Sequence, residues 1–196
     1  FMGAEAGSDD TLARMDKGGR QSSDQVLALA ERMAAYGVVP EFSFVLGAPP
    51  DPVADVDRTL AFVRRVKAVN PAAEIILYLF TPEPVPGAML SAAGEAGFAF
   101  PDTLDAWNGE PWRTRVQRRG PLPWIDERLL ARIRGFERVL HAYHPTSTDR
   151  GLTPRRRRVL RALSAWRYRT GTYRGAWELA LAQRVLRYKR PETSGF

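Results

Sequence analysis

Three apolar runs constrain this chain more than anything else in it: Phe1-Met2-Gly3-Ala4-Glu5, Phe42-Ser43-Phe44-Val45-Leu46 and Glu74-Ile75-Ile76-Leu77-Tyr78-Leu79-Phe80. Each is nearly continuous rather than alternating, as strands covered on both faces read. Between them lie segments of helical period. Ser8 is placed to cap a short helix, with Asp9 and Asp10 in its first turn. A second helix starts at Ser22 or Ser23, carries Val26, Leu29, Ala30, Met33 and Ala34 on one face, and closes at Gly37. After the Gly47-Ala48-Pro49-Pro50 exit, Pro52 opens a helix with Val56, Leu60, Val63 and Val66 as its apolar stripe. Arg64, Arg65 and Lys67 fall outside that stripe, and Asn70-Pro71 ends the helix. Strands alternating with helices predict a parallel βαβαβ sheet with right-handed crossovers. The pattern alone leaves barrel and open sheet both standing.

Beyond Thr81 the grammar changes. Pro82, Pro84 and Pro86 stiffen a loop, and a short helix is expected over 87–96. Residues 101–123 hold Trp107 and Trp112 with little periodicity, and read as loop with short helical turns. Helix 125–140 places Leu129, Ile133, Phe136 and Leu140 on one face. A linker rich in Pro, Thr, Ser and Asp follows, then two basic helices near 154–169 and 175–189. The second carries Trp177, Leu181, Val185 and Tyr188 as its apolar face. The expected division is an α/β part over 1–100 and a mainly helical, Arg-rich extension over 101–196.

Charge divides the chain in the same way. Residues 1–111 carry 8 basic and 16 acidic side chains, residues 112–196 carry 21 and 6. Such asymmetry points to an anionic partner or to the other half of the same molecule. Arg155 to Arg158 oppose the dipole at the start of their helix, which calls for something anionic nearby. Acidic protein, lipid headgroups and nucleic acid all qualify, the last with Trp166, Tyr168 and Tyr173 as stacking platforms. A solvated basic face is the plainer account. No cysteine occurs in the 196 residues, so disulfides, thiolate zinc sites, cysteine nucleophiles and cysteine-held iron–sulfur clusters are excluded within them.

Polar residues gather where each strand ends, the edge at which α/β folds bind ligands. Glu5 ends the first strand; it suits a ribose hydroxyl, or a plain pairing with Lys17. Lys17 suits a carboxylate or phosphate, or simply its helix C-terminus. Gly47 allows close backbone approach, but its surroundings lack the spacing of a dinucleotide loop or a P-loop. His141 and His144 share a helix face, yet two ligands before a helix-breaking Pro145 do not make a metal site.

These motifs together resemble the second half of a radical S-adenosylmethionine core, in the family that carries a cobalamin-binding domain before that core. The residues that carry the resemblance are Met2-Gly3-Ala4-Glu5-Ala6-Gly7-Ser8 with Leu12 and Met15-Asp16-Lys17-Gly18; Phe42-Ser43-Phe44-Val45-Leu46-Gly47-Ala48-Pro49; Tyr78-Leu79-Phe80-Thr81-Pro82 with Pro86-Gly87; and Gly97-Phe98 with Pro101 and Trp107. It covers residues 1–110 well and the tail loosely. The resemblance implies the C-terminal half of a partial (β/α)6 barrel, three parallel strands with helices, followed by the helical extension. It implies S-adenosylmethionine across the strand ends: Glu5 at the ribose, Lys17 near the methionine carboxylate, Ser43 facing the cofactor, Gly47 in the strand exit, and Leu79, Phe80 and Thr81 passing the adenine with backbone groups.

Relatives of this kind hold a 4Fe–4S cluster through Cys-x-x-x-Cys-x-x-Cys and cobalamin through Asp-x-His-x-x-Gly; this chain has neither motif. The expectation is therefore a piece of an enzyme whose missing N-terminal half is its first partner. Its reaction would run through a 5′-deoxyadenosyl radical, with methyl transfer as an outcome. The substrate would be a small molecule or a lipid, and the location cytoplasmic, including the peripheral inner membrane surface. The alternative is an anion-binding module, for a lipid surface before nucleic acid, acting through the Arg-rich tail.

Overall fold

A computed structural model describes residues 1–15, 21–116, 122–146 and 148–186, with the side chains of 115 and 116 left aside. Three strands, β1 (Met2–Glu5), β2 (Glu41–Leu46) and β3 (Glu74–Leu79), form one sheet in the order β1-β2-β3, with both pairings parallel. Phe42 aligns with Met2 and Ile75, and Ser43 with Gly3 and Ile76. The register slips between Gly3 and Glu5, so Glu5 lies beside Phe44. The mixed α/β class and its three parallel strands are thus as the apolar runs predict; each strand end lies within a residue of its expected place.

Helices α1 (Asp9–Arg14) and α2 (Ser23–Ala35) link β1 to β2, and α3 (Pro52–Val69) links β2 to β3. Each begins on the cap its sequence offers: Ser8 accepts from the Thr11 N–H, Ser22 forms a capping box with Gln25, and Asp51 accepts from the Ala54 N–H before Pro52. Side chains alternate across the sheet. Ala4, Phe42, Phe44, Leu46, Ile75 and Leu77 join Val26, Ala30, Val56, Leu60, Val63 and Val66 in the main core. On α2, Leu29 and Met33 are half-buried and Ala34 is exposed, so its contact face is narrower than its apolar pattern.

Then come α4 (Ala88–Glu95), α5 (Leu104–Asn108), α6 (Glu110–Val116), α7 (Glu127–Tyr143), α8 (Pro154–Thr170) and α9 (Trp177–Leu186). The stretch that reads as loop with short helical turns holds two short helices, α5 and α6. Leu129, Ile133, Phe136 and Leu140 of α7 are buried in the same cluster as the sheet, together with Tyr168, Tyr173 and Leu179. The main core accordingly draws on both sides of residue 100. Among the described residues no helix is long and apolar enough to cross a membrane.

One sequence expectation needs correction. Lys67 lies outside the apolar stripe by pattern, yet it is only 2% exposed. Its ammonium donates to the carbonyls of Pro71 at 2.6 Å and Ala73 at 2.7 Å, in the turn after α3, where carbonyls lack helical partners. The apolar face read on α9 is exposed at Trp177, Leu181 and Val185, while Leu179 is buried. Tyr188 lies outside the described residues.

At the N-terminal edge of the sheet, Glu74 accepts from the Thr146 and Thr148 hydroxyls at 2.9 and 3.0 Å. Asp149 closes that turn by accepting from the Thr146 N–H at 2.8 Å. The linker before α8 is thereby fastened to the end of the sheet remote from Glu5, leaving the C-terminal edge to other residues.

Candidate functional site

The C-terminal edge is built from three backbone exits, one after each strand. After β1 the chain turns at Glu5, a non-glycine residue in the left-handed region at φ 63°. Its half-buried carboxylate folds back over Gly3, where a Cβ would collide with Glu5 Oε1. The backbone of α3 passes Gly7 so closely that a Cβ there would strike Thr59 Cα and lie 2.9 Å from Arg58 O. The Gly7 N–H donates to Thr59 Oγ1 at 3.2 Å. Close approach fixes Gly7 and helix capping fixes Ser8.

After β2, Gly47 turns at φ 75° and the loop is held from three sides. Buried Asp55, in the first turn of α3, accepts from the N–H groups of Gly47 at 2.8 Å and Ala48 at 3.1 Å. It also accepts from the Thr11 hydroxyl at 2.9 Å. Trp124 Nε1 donates to the Gly47 carbonyl at 2.8 Å, and Arg14 donates to the Pro49 carbonyl at 2.9 Å. Both polar backbone groups of Gly47 are thus engaged within the protein, and Ile125 Cδ1 lies 2.5 Å from where a Cβ would sit. Gly47 shapes the edge; its N–H and C=O already have partners.

The sheet face opposite the main core carries Gly3, Ser43, Val45, Ile76 and Tyr78 by alternation, and the Glu5 carboxylate reaches that face by folding over Gly3, although the register slip sets its main chain beside Phe44. Glu5 and Ser43 therefore share a face. Ser43 is buried and Tyr78 half-buried. Beyond β3, Phe80 donates its N–H to Leu46 O at 2.8 Å and buries its ring. That ring belongs to a second cluster with Ala48, Ala93 and Phe98, against which Trp112 and Trp124 pack. Phe100 stacks on Trp107 at 5.5 Å and 10°. Leu79 packs toward the main core, which leaves only its main chain for the opposite face. Thr81 follows, half-buried, just past the strand. Lys17 lies outside the described residues.

Of the sequence-predicted set, the fold brings Glu5 and Ser43 to one face and Gly47, Phe80 and Thr81 to the same edge. Sequence reasoning missed Asp55, Thr11 and Trp124, which hold that edge together. A signal existed: Asp55 and Thr59 stand four apart beside Val56, Leu60 and Val63, polar residues at core-facing positions of an apolar stripe.

His141 and His144 do not converge on a ligand. His141 faces Glu137 at 3.8 Å. His144 ends α7, packed edge-on against Tyr143 and Tyr168. Burial, with Lys67 and Arg161 nearby, pushes its pKa down to about 3. Among the described residues no group of three or more potential metal ligands occurs. No family model, curated protein or solved structure matches this chain. What the coordinates define is a class of architecture: a mixed α/β fold with three parallel strands and a polar, glycine-shaped C-terminal edge.

Proposed function

We propose that this chain supplies the S-adenosylmethionine-binding edge of a radical S-adenosylmethionine enzyme, as the second half of its partial barrel. One observation carries the reading. At the end of a parallel strand, Glu5 is held in the left-handed region, with its carboxylate turned over Gly3 on the face that also bears Ser43. A non-glycine residue in that conformation costs on the order of 1 kcal/mol and survives where surrounding structure or function requires it.

The residues fit the organic cofactor. Glu5 offers acceptors to ribose hydroxyls, and the Ser43 hydroxyl lies on the same face. The main chain of Leu79 to Thr81 borders a wall of aromatic rings suited to adenine. Lys17 would meet the methionine carboxylate. The 4Fe–4S cluster does not fit these residues, because no thiolate exists here to hold it. The cobalamin motif is absent as well. Radical generation and methyl transfer would therefore depend on ligands supplied from outside this sequence. The chain's own part is to bind and orient the nucleoside.

Calorimetric titration with S-adenosylmethionine and S-adenosylhomocysteine tests the reading. Losing hydrogen bonds to a charged acceptor is worth ~1.5–3 kcal/mol, so Glu5→Gln should weaken binding about tenfold or more. Ser43→Ala should weaken it several-fold. No heat from the folded protein at millimolar ligand, or an affinity indifferent to Glu5→Gln, overturns it.

A further inference from the structure

The final two helices carry an apolar surface that the core leaves uncovered. On α8, Val159, Leu163 and Trp166 lie within about 60° of one another at 100° per residue. On α9, Trp177, Leu181 and Val185 form a second stripe. All six are between 44% and 71% exposed. The helices run antiparallel: Arg156 near the start of α8 donates to Leu186 O at the end of α9, and Arg167 near the end of α8 pairs with Glu178 at the start of α9. Arg156 and Arg167 stand between the exposed stripe of α8 and its buried residues Leu160 and Ser164. Glu178 stands beside Leu181 and Val185 on α9. Both stripes therefore turn to the same outer side of the pair, and Trp166 and Trp177 lie at the same end of it.

Charge selects what covers this face. Residues 154–186 hold nine arginines and a single carboxylate, Glu178. That carboxylate is already taken: burial raises its pKa, but hydrogen bonds from Arg167 outweigh this and hold it below the usual range. Arg155, Arg158 and Arg169 are exposed around the α8 stripe, and Arg184 beside that of α9. An apolar stripe with paired tryptophans, flanked by cations and free of unpaired carboxylates, matches the boundary of an anionic bilayer.

We propose that the outer face of the α8–α9 pair docks on an anionic lipid surface, with Trp166 and Trp177 entering the headgroup boundary. This rests on the helical pair alone and is independent of the S-adenosylmethionine reading. Headgroup attraction contributes roughly fivefold per arginine near the surface and weakens with salt.

Flotation of the full chain with vesicles decides it. Three parts phosphatidylglycerol to seven phosphatidylcholine should carry the protein upward, whereas phosphatidylcholine alone should carry at least tenfold less. The double substitution Trp166→Ser and Trp177→Ser, at exposed positions that leave the core intact, should cut the anionic-vesicle fraction at least tenfold. Arg155→Ser with Arg158→Ser should weaken flotation at low salt and flatten its dependence on salt up to about 0.5 M. Failure to float with anionic vesicles overturns the proposal. So does flotation indifferent to the tryptophan substitutions. A salt-sensitive gel shift with an oligonucleotide in the absence of flotation reassigns the face to nucleic acid. A dimer by sedimentation that the tryptophan substitutions dissolve reassigns it to a second copy of this chain.

Discussion

Asp55→Ala should cost this protein about 3–5 kcal/mol of stability. Asp55 is 1% exposed and accepts three hydrogen bonds, two from backbone N–H groups and one from a buried hydroxyl. Removing the carboxylate strands the Gly47 and Ala48 donors, each at ~1–3 kcal/mol when buried and unpaired. The Thr11 hydroxyl still touches Ser8 and Arg14, so its loss is smaller. Folded domains keep only ~5–15 kcal/mol in total, so the change removes a large fraction of it. Asp55→Asn separates geometry from charge. Its amide oxygen can still accept from both backbone donors, while its NH2 now faces a Thr11 oxygen that already accepts from two neighbours. About 1–2 kcal/mol should be lost. Urea denaturation followed by circular dichroism, with equal m-values required for all three proteins, reads both numbers. An alanine variant within 1 kcal/mol of the parent, or an asparagine variant as damaged as the alanine one, would refute the network as the element that fixes the strand exit.

Acid should loosen the other end of the sheet. The pKa of His144 is lowered from 6.5 to about 3, first by burial and then by Lys67 and Arg161. A depressed folded-state pKa contributes stability that is complete above pH 6.5 and is lost as pH falls toward 3. With part of the ring facing water, the slope should be no more than about 1 kcal/mol per pH unit. Denaturation at pH 6.5 and pH 5 should show that slope in the parent and its loss in His144→Gln; equal slopes would contradict the assignment. Two glycines should respond oppositely to alanine. At Gly135 a Cβ would collide with the Tyr173 carbonyl, so Gly135→Ala should destabilise by at least ~1–3 kcal/mol. At Gly94, exposed in α4 with open space around it, alanine should stabilise by up to ~1 kcal/mol. Thermal melts of the pair check the sign of each.

The sequence made the sheet legible because its strands are buried on both faces and its helices carry explicit caps at Ser8, Ser22 and Asp51. Helix α7 was readable for a related reason, one clean apolar stripe meeting one core. Where sequence reading failed, local pattern competed with a tertiary decision. Lys67 looks solvated by type, but unpaired carbonyls at the end of α3 draw its ammonium inward. On α9 the pattern marks an apolar face without saying what covers it; the core takes Leu179 and Ala176 and leaves Trp177, Leu181 and Val185 outside. Residues 101–116 lack periodicity because aromatic rings packed on one another, rather than on a sheet, hold them. At the site, Glu5 and Ser43 were readable from strand ends and alternation. Trp124 was not, because it acts on the Gly47 carbonyl 77 residues away; Asp55 left only the trace of a carboxylate at a core-facing position of α3.

The central claim is that the face bearing Glu5 and Ser43 receives the nucleoside of S-adenosylmethionine. Titrating the ¹⁵N-labelled chain with S-adenosylmethionine and following its amide resonances tests this most directly. The account predicts shifts that saturate together at Gly3, Glu5, Ser43 and Thr81 and leave Thr146 and Asp149, at the opposite edge, unmoved. Saturating shifts confined to α8 and α9, or none at any amide of the strand ends, would contradict it.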